Sequence, residues 1–291
     1  MASKVLDLLA LDGAAPCVLY EPFLGAGAVS LAALERWPDV RVCGSDASGP
    51  LCAVWDGVLA YPYAVAACLD DLTDAPCTEA RYYDLRAAFN TLWAERDTVP
   101  LSFARFAALA IYLNRAGFNG LWRFNRRGEL NVPWGKREDV KVSTFDADAW
   151  AAVGGYVDPL RMAVGHGGYD GVCALGSLAC GRVLPGTVVY LDPPYAAPRG
   201  SDARPFVAYG TGLGWTMDDT FRVVDLATRV AEQGARVVLS HSADASPGGL
   251  NARLKENGWT VHDVSVKRTI SRDGATRAPV GEILAVLQTT P

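Results

Sequence analysis

The sequence predicts an α/β protein: a doubly wound, mixed sheet interrupted by a mainly helical insert that carries a hairpin. Three observations lead there. Near the start, a short apolar run enters a glycine-rich turn, followed by an Ala/Leu-rich helical pattern and a second apolar run. From about Val188 onward, strand and helix patterns alternate again. Between these regions the apolar period is helical, except for one stretch rich in Asn, Gly, Arg and aromatic residues.

Taken in order, residues 17–20 read as the first strand, since a brief apolar run closed by turn residues suits a buried strand. Glu21-Pro22-Phe23-Leu24-Gly25-Ala26-Gly27 reads as a turn, 28–36 as a helix, and 40–44 as a second strand ending at Ser45-Asp46. This β-loop-α-β order opens a doubly wound sheet. Apolar residues then recur at helical spacing through 54–69, 82–92 and 103–112. Between Asn119 and Pro133 the helical period is lost, and a hairpin or ordered loop is predicted. Strands follow at 188–191 and 235–239, helices at 218–233 and 250–257, and closing strands at 259–266 and 282–287. The expected division is a sheet domain of residues 1–50 and 180–291, with a helical domain of 51–179 whose hairpin spans about 118–134.

Composition excludes several classes. A chain of 291 residues can bury a full α/β core and carry a smaller module. With 50% hydrophobic and 20% charged residues it has globular rather than disordered composition. No apolar run reaches the length of a membrane span, and the start lacks the basic region and cleavage site of a secretory signal. A cytoplasmic protein with no membrane partner is therefore expected. Cysteines 17, 43, 52, 68, 77, 173 and 180 are scattered without C-x-x-C spacing, which predicts free thiols and no metal site. The net charge of −5 excludes an overall basic polyanion binder. Locally the balance reverses. Arg115, Arg123, Arg126, Arg127, Lys136, Arg137 and Lys141 face only Glu129, Glu138 and Asp139 in the same stretch, and Lys267, Arg268, Arg272 and Arg277 form a second patch. Such patches suit a polyanion in one groove, or a solvated surface.

Two motifs carry chemistry. In Phe23-Leu24-Gly25-Ala26-Gly27 the glycines let backbone approach a ligand closely, or let a helix pack tightly on the sheet. Asp46, ending the second strand, can accept hydrogen bonds from the ribose of an adenosine-containing cofactor, or cap a helix. The second motif, Asp192-Pro193-Pro194-Tyr195, sits at a strand end, where open α/β sheets bind ligands. An exocyclic aromatic amine is a poor nucleophile because its lone pair is delocalised. The Asp192 carboxylate and Pro193 carbonyl can accept its two N–H groups, stabilising the positive charge that grows during attack on a sulfonium methyl. Tyr195 offers a face on which an extruded base stacks, worth on the order of 1–3 kcal/mol.

With these motifs in this order, the chain resembles the DNA adenine methyltransferase (Dam) family. The resemblance extends over residues 20–27, 114–135, 189–195, 206–216 and 268–287. It implies a Rossmann-like S-adenosylmethionine-dependent methyltransferase sheet with a helical DNA-recognition insert. Lys4, Glu21, Phe23, Gly25, Ala26, Gly27, Asp46 and Asp192 would bind S-adenosylmethionine. Asp192, Pro193, Pro194 and Tyr195 would hold the target adenine. Arg115, Phe118, Asn119, Leu121, Arg123, Asn125, Arg127, Pro133 and Lys136 would contact double-stranded DNA. Arg123 is the candidate for a bidentate bond to guanine, the alternative being a phosphate contact. The family analogy favours a GATC target, and a monomer acting on duplex DNA is the simplest expectation. One departure stands out: family members begin with an aromatic, Gly-Gly-Lys segment, whereas here only Lys4 has a counterpart in Met1-Ala2-Ser3-Lys4. Alternative readings are transfer to RNA adenine or a glutamine amide, or a DNA-binding homologue with impaired catalysis. His166 is read as a loop residue, because the reaction needs no base before attack.

Overall fold

The structure, a computed structural model, describes residues 1–10, 14–100, 102–142, 145–155, 157–159, 171–195, 215–243, 246, 248–266 and 280–288. His166, the basic patch from Lys267 to Arg277, and most of the 206–216 stretch lie outside these residues. In chain order the elements are α1 (Ala2–Leu9), β1 (Val18–Glu21), α2 (Ala28–Arg36) and β2 (Arg41–Gly44). The insert follows, with α3 (Gly49–Ala60), α4 (Pro62–Thr73), α5 (Glu79–Ala94), α6 (Phe103–Ala116), a 3-10 turn at Phe118–Gly120, and α7 (Ala147–Gly154). Then come β3 (Val157–Pro159), α8 (Gly171–Cys180), β4 (Thr187–Leu191), α9 (Met217–Glu232), β5 (Arg236–Ser242), α10 (Leu250–Glu256), β6 (Thr260–Val266) and β7 (Val280–Gln288).

The strands form one sheet in the order β3-β2-β1-β4-β5-β7-β6. All pairs from β3 to β5 are parallel, and β7 runs antiparallel to both β5 and β6. Strand order reverses between β1 and β4, creating the crevice at which doubly wound sheets bind ligands. The Rossmann-like fold class read from the sequence is thus observed.

Side-chain alternation explains the layers. Leu19, Val188, Tyr190, Val238 and Leu284 point to one face, where α1 and α2 cover them through Val5, Leu6, Leu9, Val29 and Ala33. Val189, Leu191, Val237, Leu239, Ile283 and Ala285 point to the other, under Leu175 of α8, Val223 and Ala227 of α9, and Leu250 and Leu254 of α10. Because successive strand residues face opposite ways, Glu21, Asp192 and Ser240 lie in register with Leu19, Tyr190 and Val238. All three belong to the α1/α2 side at the carboxyl tips of their strands.

The structure corrects the expected division. The segment 51–179 contains β3, which pairs with β2, and α8, which packs against α9, so both belong to the sheet layers. The helical unit proper runs from α3 to α7, with its own core of Trp55, Phe89, Phe106, Tyr112 and Leu113. The helical run at 54–69 is two helices bent by 109° at Pro62, whose ring cannot continue the preceding helix. Among the described residues, no single helix is long and apolar enough to cross a membrane.

The predicted hairpin is present as an irregular antiparallel ribbon. Gly135 N–H donates to Ala116 O (2.8 Å), Phe118 N–H to Pro133 O (2.9 Å), Asn131 N–H to Arg123 O (3.1 Å) and Asn125 N–H to Glu129 O (2.9 Å). From the Phe118–Pro133 pair to the Arg123–Asn131 pair, the first arm advances five residues and the second only two. The 3-10 turn absorbs the excess, with Asn119 and Gly120 at φ 53° and 62°, leaving Phe118 and Asn119 protruding into solvent.

Candidate active site

The glycine turn owes its shape to three contacts. Leu24 N–H donates to Ser45 O (2.8 Å), Gly25 N–H donates to Asp46 Oδ2 (2.9 Å), and Trp55 Nε1 donates to Gly25 O (3.0 Å). Gly25 and Gly27 both have left-handed backbones, φ 51° and 67°, a region that a Cβ makes unfavourable. A Cβ on Gly27 would also lie 2.6 Å from the Trp55 ring. Gly27 thus packs closely on Trp55, and Gly25 and Ala26 line a cavity.

That cavity has a volume of about 570 Å³, and lies between the sheet tips and the insert. Gly25, Ala26 and Asp46 form one wall, and α3, α6 and Trp122 form much of the rest, including Trp55, Asn114 and Arg115. Asp46 Oδ1 also accepts Ser48 N–H (2.8 Å), a local turn just before α3 rather than the expected helix cap, since the N-cap position is Ser48. Loss of hydration raises its pKa above the ordinary carboxylate value.

Glu21, 3% exposed, ends β1 on the side of α2. Its Oε2 accepts the Ser30 N–H (3.0 Å) and the Ser30 hydroxyl, taking up an unpaired amide of α2's first turn. Burial, and then the nearby Asp192 and Asp46 carboxylates, push its pKa up to about 8. The folded chain therefore holds a proton on Glu21 that the unfolded chain has already released above its ordinary value of 4.5. Stability contributed this way falls as pH rises from about 4.5 towards 8. Glu21→Gln is expected to gain melting temperature relative to wild type across that interval. A difference that does not change with pH contradicts this.

Asp192 stands at the tip of β4. The Ser240 hydroxyl on β5 donates to its Oδ1 (2.8 Å). Ser240's proton being so used, the Tyr190 hydroxyl donates to Ser240 Oγ (3.0 Å), completing a short buried chain. Asp192 keeps contact with solvent while protein surrounds it on most sides. Burial raises its pKa, and hydrogen bonds from Ser240 and Tyr195 offset part of the rise. Tyr195 lies against the buried His241, ring centroids 4.9 Å apart. Phe23 meets Trp215 edge to face at 5.8 Å.

The structure thus gathers Glu21, Asp46 and Asp192 at the ends of neighbouring strands β1, β2 and β4, with the turn beside them. Pro193 is buried and Pro194 half-buried behind Asp192. Lys4 is not brought to the cavity. Val5, Leu6 and Leu9 commit one stripe of α1 to the sheet, leaving Lys4 exposed, and Arg236 at the start of β5 holds the carbonyl of Ala10 just past α1.

On the ribbon, Arg115, Phe118, Asn119, Arg123, Arg127, Pro133 and Lys136 are exposed, while Leu121 and Asn125 are half-buried. Arg123 Nε and Nη2 donate to Asn131 Oδ1 (2.8 Å) and O (3.1 Å), so part of its guanidinium fork is engaged within the ribbon. Asn125 Nδ2 (2.6 Å) and Arg127 Nη2 (2.9 Å) both hold Glu129 Oε2, closing the turn at the tip. Sequence reading missed Ser240, His241 and Trp55. For the first pair the signal was faint, polar residues directly following the apolar run 237–239. For Trp55 there was none short of the tertiary contact.

A doubly wound sheet with a glycine turn and an Asp-Pro-Pro-Tyr strand tip at its switch point defines a Rossmann-like methyltransferase. Comparison with known proteins narrows the class. Residues 12–149 match the family model of D12 class N6 adenine-specific DNA methyltransferases. The chain is 32% identical over 206 residues to the DNA adenine methylase of Vibrio cholerae serotype O1, covering 70% of this chain and 64% of that one. With the DNA adenine methylase of Escherichia coli strain K12 identity is 31% over 270 residues, 92% of this chain and 85% of the relative. The Type II methyltransferase M.MjaIII of Methanocaldococcus jannaschii is 28% identical over 263 residues, with coverage of 88% and 83%. The chain belongs to the family of DNA adenine methylases.

Proposed function

We propose that the chain methylates the N6 amine of an adenine turned out of duplex DNA, with S-adenosylmethionine as methyl donor. The observation that carries this is the Asp192 carboxylate, fixed by Ser240 at the switch point beside Glu21 and Asp46. Three convergent carboxylates favour a cationic ligand, because each is driven towards protonation by burial and regains its charge when a positive centre arrives. Gly25, Ala26 and Asp46 line the cavity, and Asp46 would accept ribose hydroxyls there with its remaining lone pairs. The residues present fit the donor, with Phe23, Gly25, Ala26, Gly27, Glu21 and Asp46 to hold it.

S-adenosylmethionine, when bound, supplies an electrophilic methyl group on a sulfonium centre. Asp192 and the Pro193 carbonyl accept the two N–H groups of adenine N6, directing its lone pair at that carbon. Attack on the donor's methyl would form the N–C bond while the C–S electron pair stays on sulfur, and the surplus proton on nitrogen would pass to the Asp192 carboxylate or to water. Asp192 stabilises the positive charge on nitrogen in between. Tyr195, backed by His241, supports the base. Extruding that base costs a few kcal/mol, so a stacking platform matters.

The helical unit from α3 to α7 serves as the DNA-binding domain. Its exposed arginines meet phosphates and base edges, with Phe118 and Asn119 protruding towards the duplex. Similarity of the ribbon to the family supports GATC as the target, and a monomer is the simplest arrangement for acting on a duplex.

Ser240→Ala is expected to lower kcat about ten-fold or more, since a hydrogen bond to a charged group is lost, with the KM for DNA unchanged. Ser240→Thr should retain the rate. A raised KM at wild-type kcat contradicts the orienting role. The function itself is tested by incubating the protein with labelled donor and either random-sequence duplex DNA or structured RNA, then mapping modified bases. Modified adenines within one short duplex sequence are expected. Transfer to RNA alone, or to neither, overturns the proposal.

A further inference from the structure

The second arm of the ribbon is held from outside the ribbon. Backbone groups of Glu129, Asn131 and Pro133 face the first arm, so those of Leu130 and Val132 face the opposite edge. A bare edge there would leave buried polar groups unpaired, for Leu130 and Val132 are 3% and 1% exposed. Helix α5 takes the place of a third strand. Asn90 Nδ2 donates to Leu130 O (3.1 Å) while its Oδ1 accepts Leu130 N–H (2.8 Å). Tyr82 Oη (3.0 Å) and Arg86 Nη1 (2.7 Å) both donate to Val132 O. Spacing by four residues puts Tyr82, Arg86 and Asn90 on one face of the helix. Arg86 is further steadied over the Tyr83 ring, 4.7 Å from its centroid. Phe89, on the same helix, stacks on Phe106 of α6 at 4.4 Å.

Between the two clamped residues lies Asn131, whose side chain and carbonyl take Arg123 Nε and Nη2. A continuous set of bonds thus runs from α5, through Leu130 and Val132, to Asn131 and Arg123. We propose that Asn90 and Arg86 are positioning residues that fix the register of the ribbon, and through Asn131 the placement of Arg123, so that they set discrimination between target sequences without touching DNA. This rests on the reading of the ribbon as the DNA-contacting element.

The test uses the full chain with two readouts. Asn90→Ala and Arg86→Ala should speed deuterium exchange in peptides covering 118–134 and leave β1 and β4 unchanged. In the same variants, the ratio of kcat/KM on the preferred duplex to that on duplexes with one base pair changed should fall about ten-fold, the scale of one lost hydrogen bond. Arg86→Lys, which keeps a donor, should preserve both. Wild-type discrimination in a variant whose ribbon exchanges faster overturns the proposal, as does wild-type exchange in Asn90→Ala. Faster exchange throughout the chain in every variant, Arg86→Lys included, also overturns it, since α5 would then support the fold as a whole. If the wild type methylates no duplex, the proposed function fails, and the exchange result alone still decides whether α5 clamps the ribbon.

Discussion

Replacing Asp192 with alanine is expected to reduce methyl transfer by a factor on the order of 10²–10³, the scale set by removing one partner of a transition-state charge. The geometry explains why this position bears the largest effect. Asp192 ends β4 at the point where strand order reverses, and Ser240 and Tyr190 fix one of its oxygens through the chain of hydroxyls. The Tyr195 hydroxyl also hydrogen-bonds the carboxylate, so an incoming amine would share or replace that bond. Asp192→Asn keeps the shape but not the charge, and should fall between alanine and wild type. Single-turnover rates measured with saturating donor and duplex separate this loss from any change in binding. Near-normal transfer by the alanine variant would remove Asp192 from the reaction.

Gly27→Ala should produce the second largest effect, this time on stability. The added Cβ would sit 2.6 Å from the Trp55 ring, and the backbone would hold alanine at φ 67°. Left-handed geometry costs roughly 1–2 kcal/mol, and overpacking a tight contact adds about 1–3 kcal/mol. Together these lower the melting temperature by several degrees or more. Gly25→Ala provides the internal comparison. Its φ is 51° but no atom lies within 4 Å of its Cβ, so only the backbone cost applies. Equal melting temperatures for the two variants would show that Trp55 does not close on the turn.

How much of this could be read from the sequence depended on whether a signal was local. The helix of α2 and the strands β1, β2, β4, β6 and β7 were legible to within about two residues, because apolar runs bounded by turns are local patterns. Strand β3 was not legible: three residues cannot display a period. Helix α8 was obscured by Gly171 and Gly176, which weaken a helical pattern. Lys4 was misplaced because matching a family lysine by spacing takes no account of the apolar stripe that commits α1 to the sheet. The clamp on the ribbon had no local trace, since it joins side chains to backbone groups forty or more positions away. The sequence shows hydrophobic periodicity well. It hides polar side chains that finish another segment's hydrogen bonding.

The most direct test asks which atom receives the methyl group. Duplex DNA is incubated with the protein and a donor carrying a deuterium-labelled methyl, digested to nucleosides, and analysed by mass spectrometry. If the carboxylate and proline carbonyl at the tip of β4 activate a ring amine, the label will be found on N6 of deoxyadenosine, and its rate of appearance will fall by a factor on the order of 10²–10³ in Asp192→Ala. Label on cytosine, or on no nucleoside although donor and duplex both bind, would contradict that chemistry.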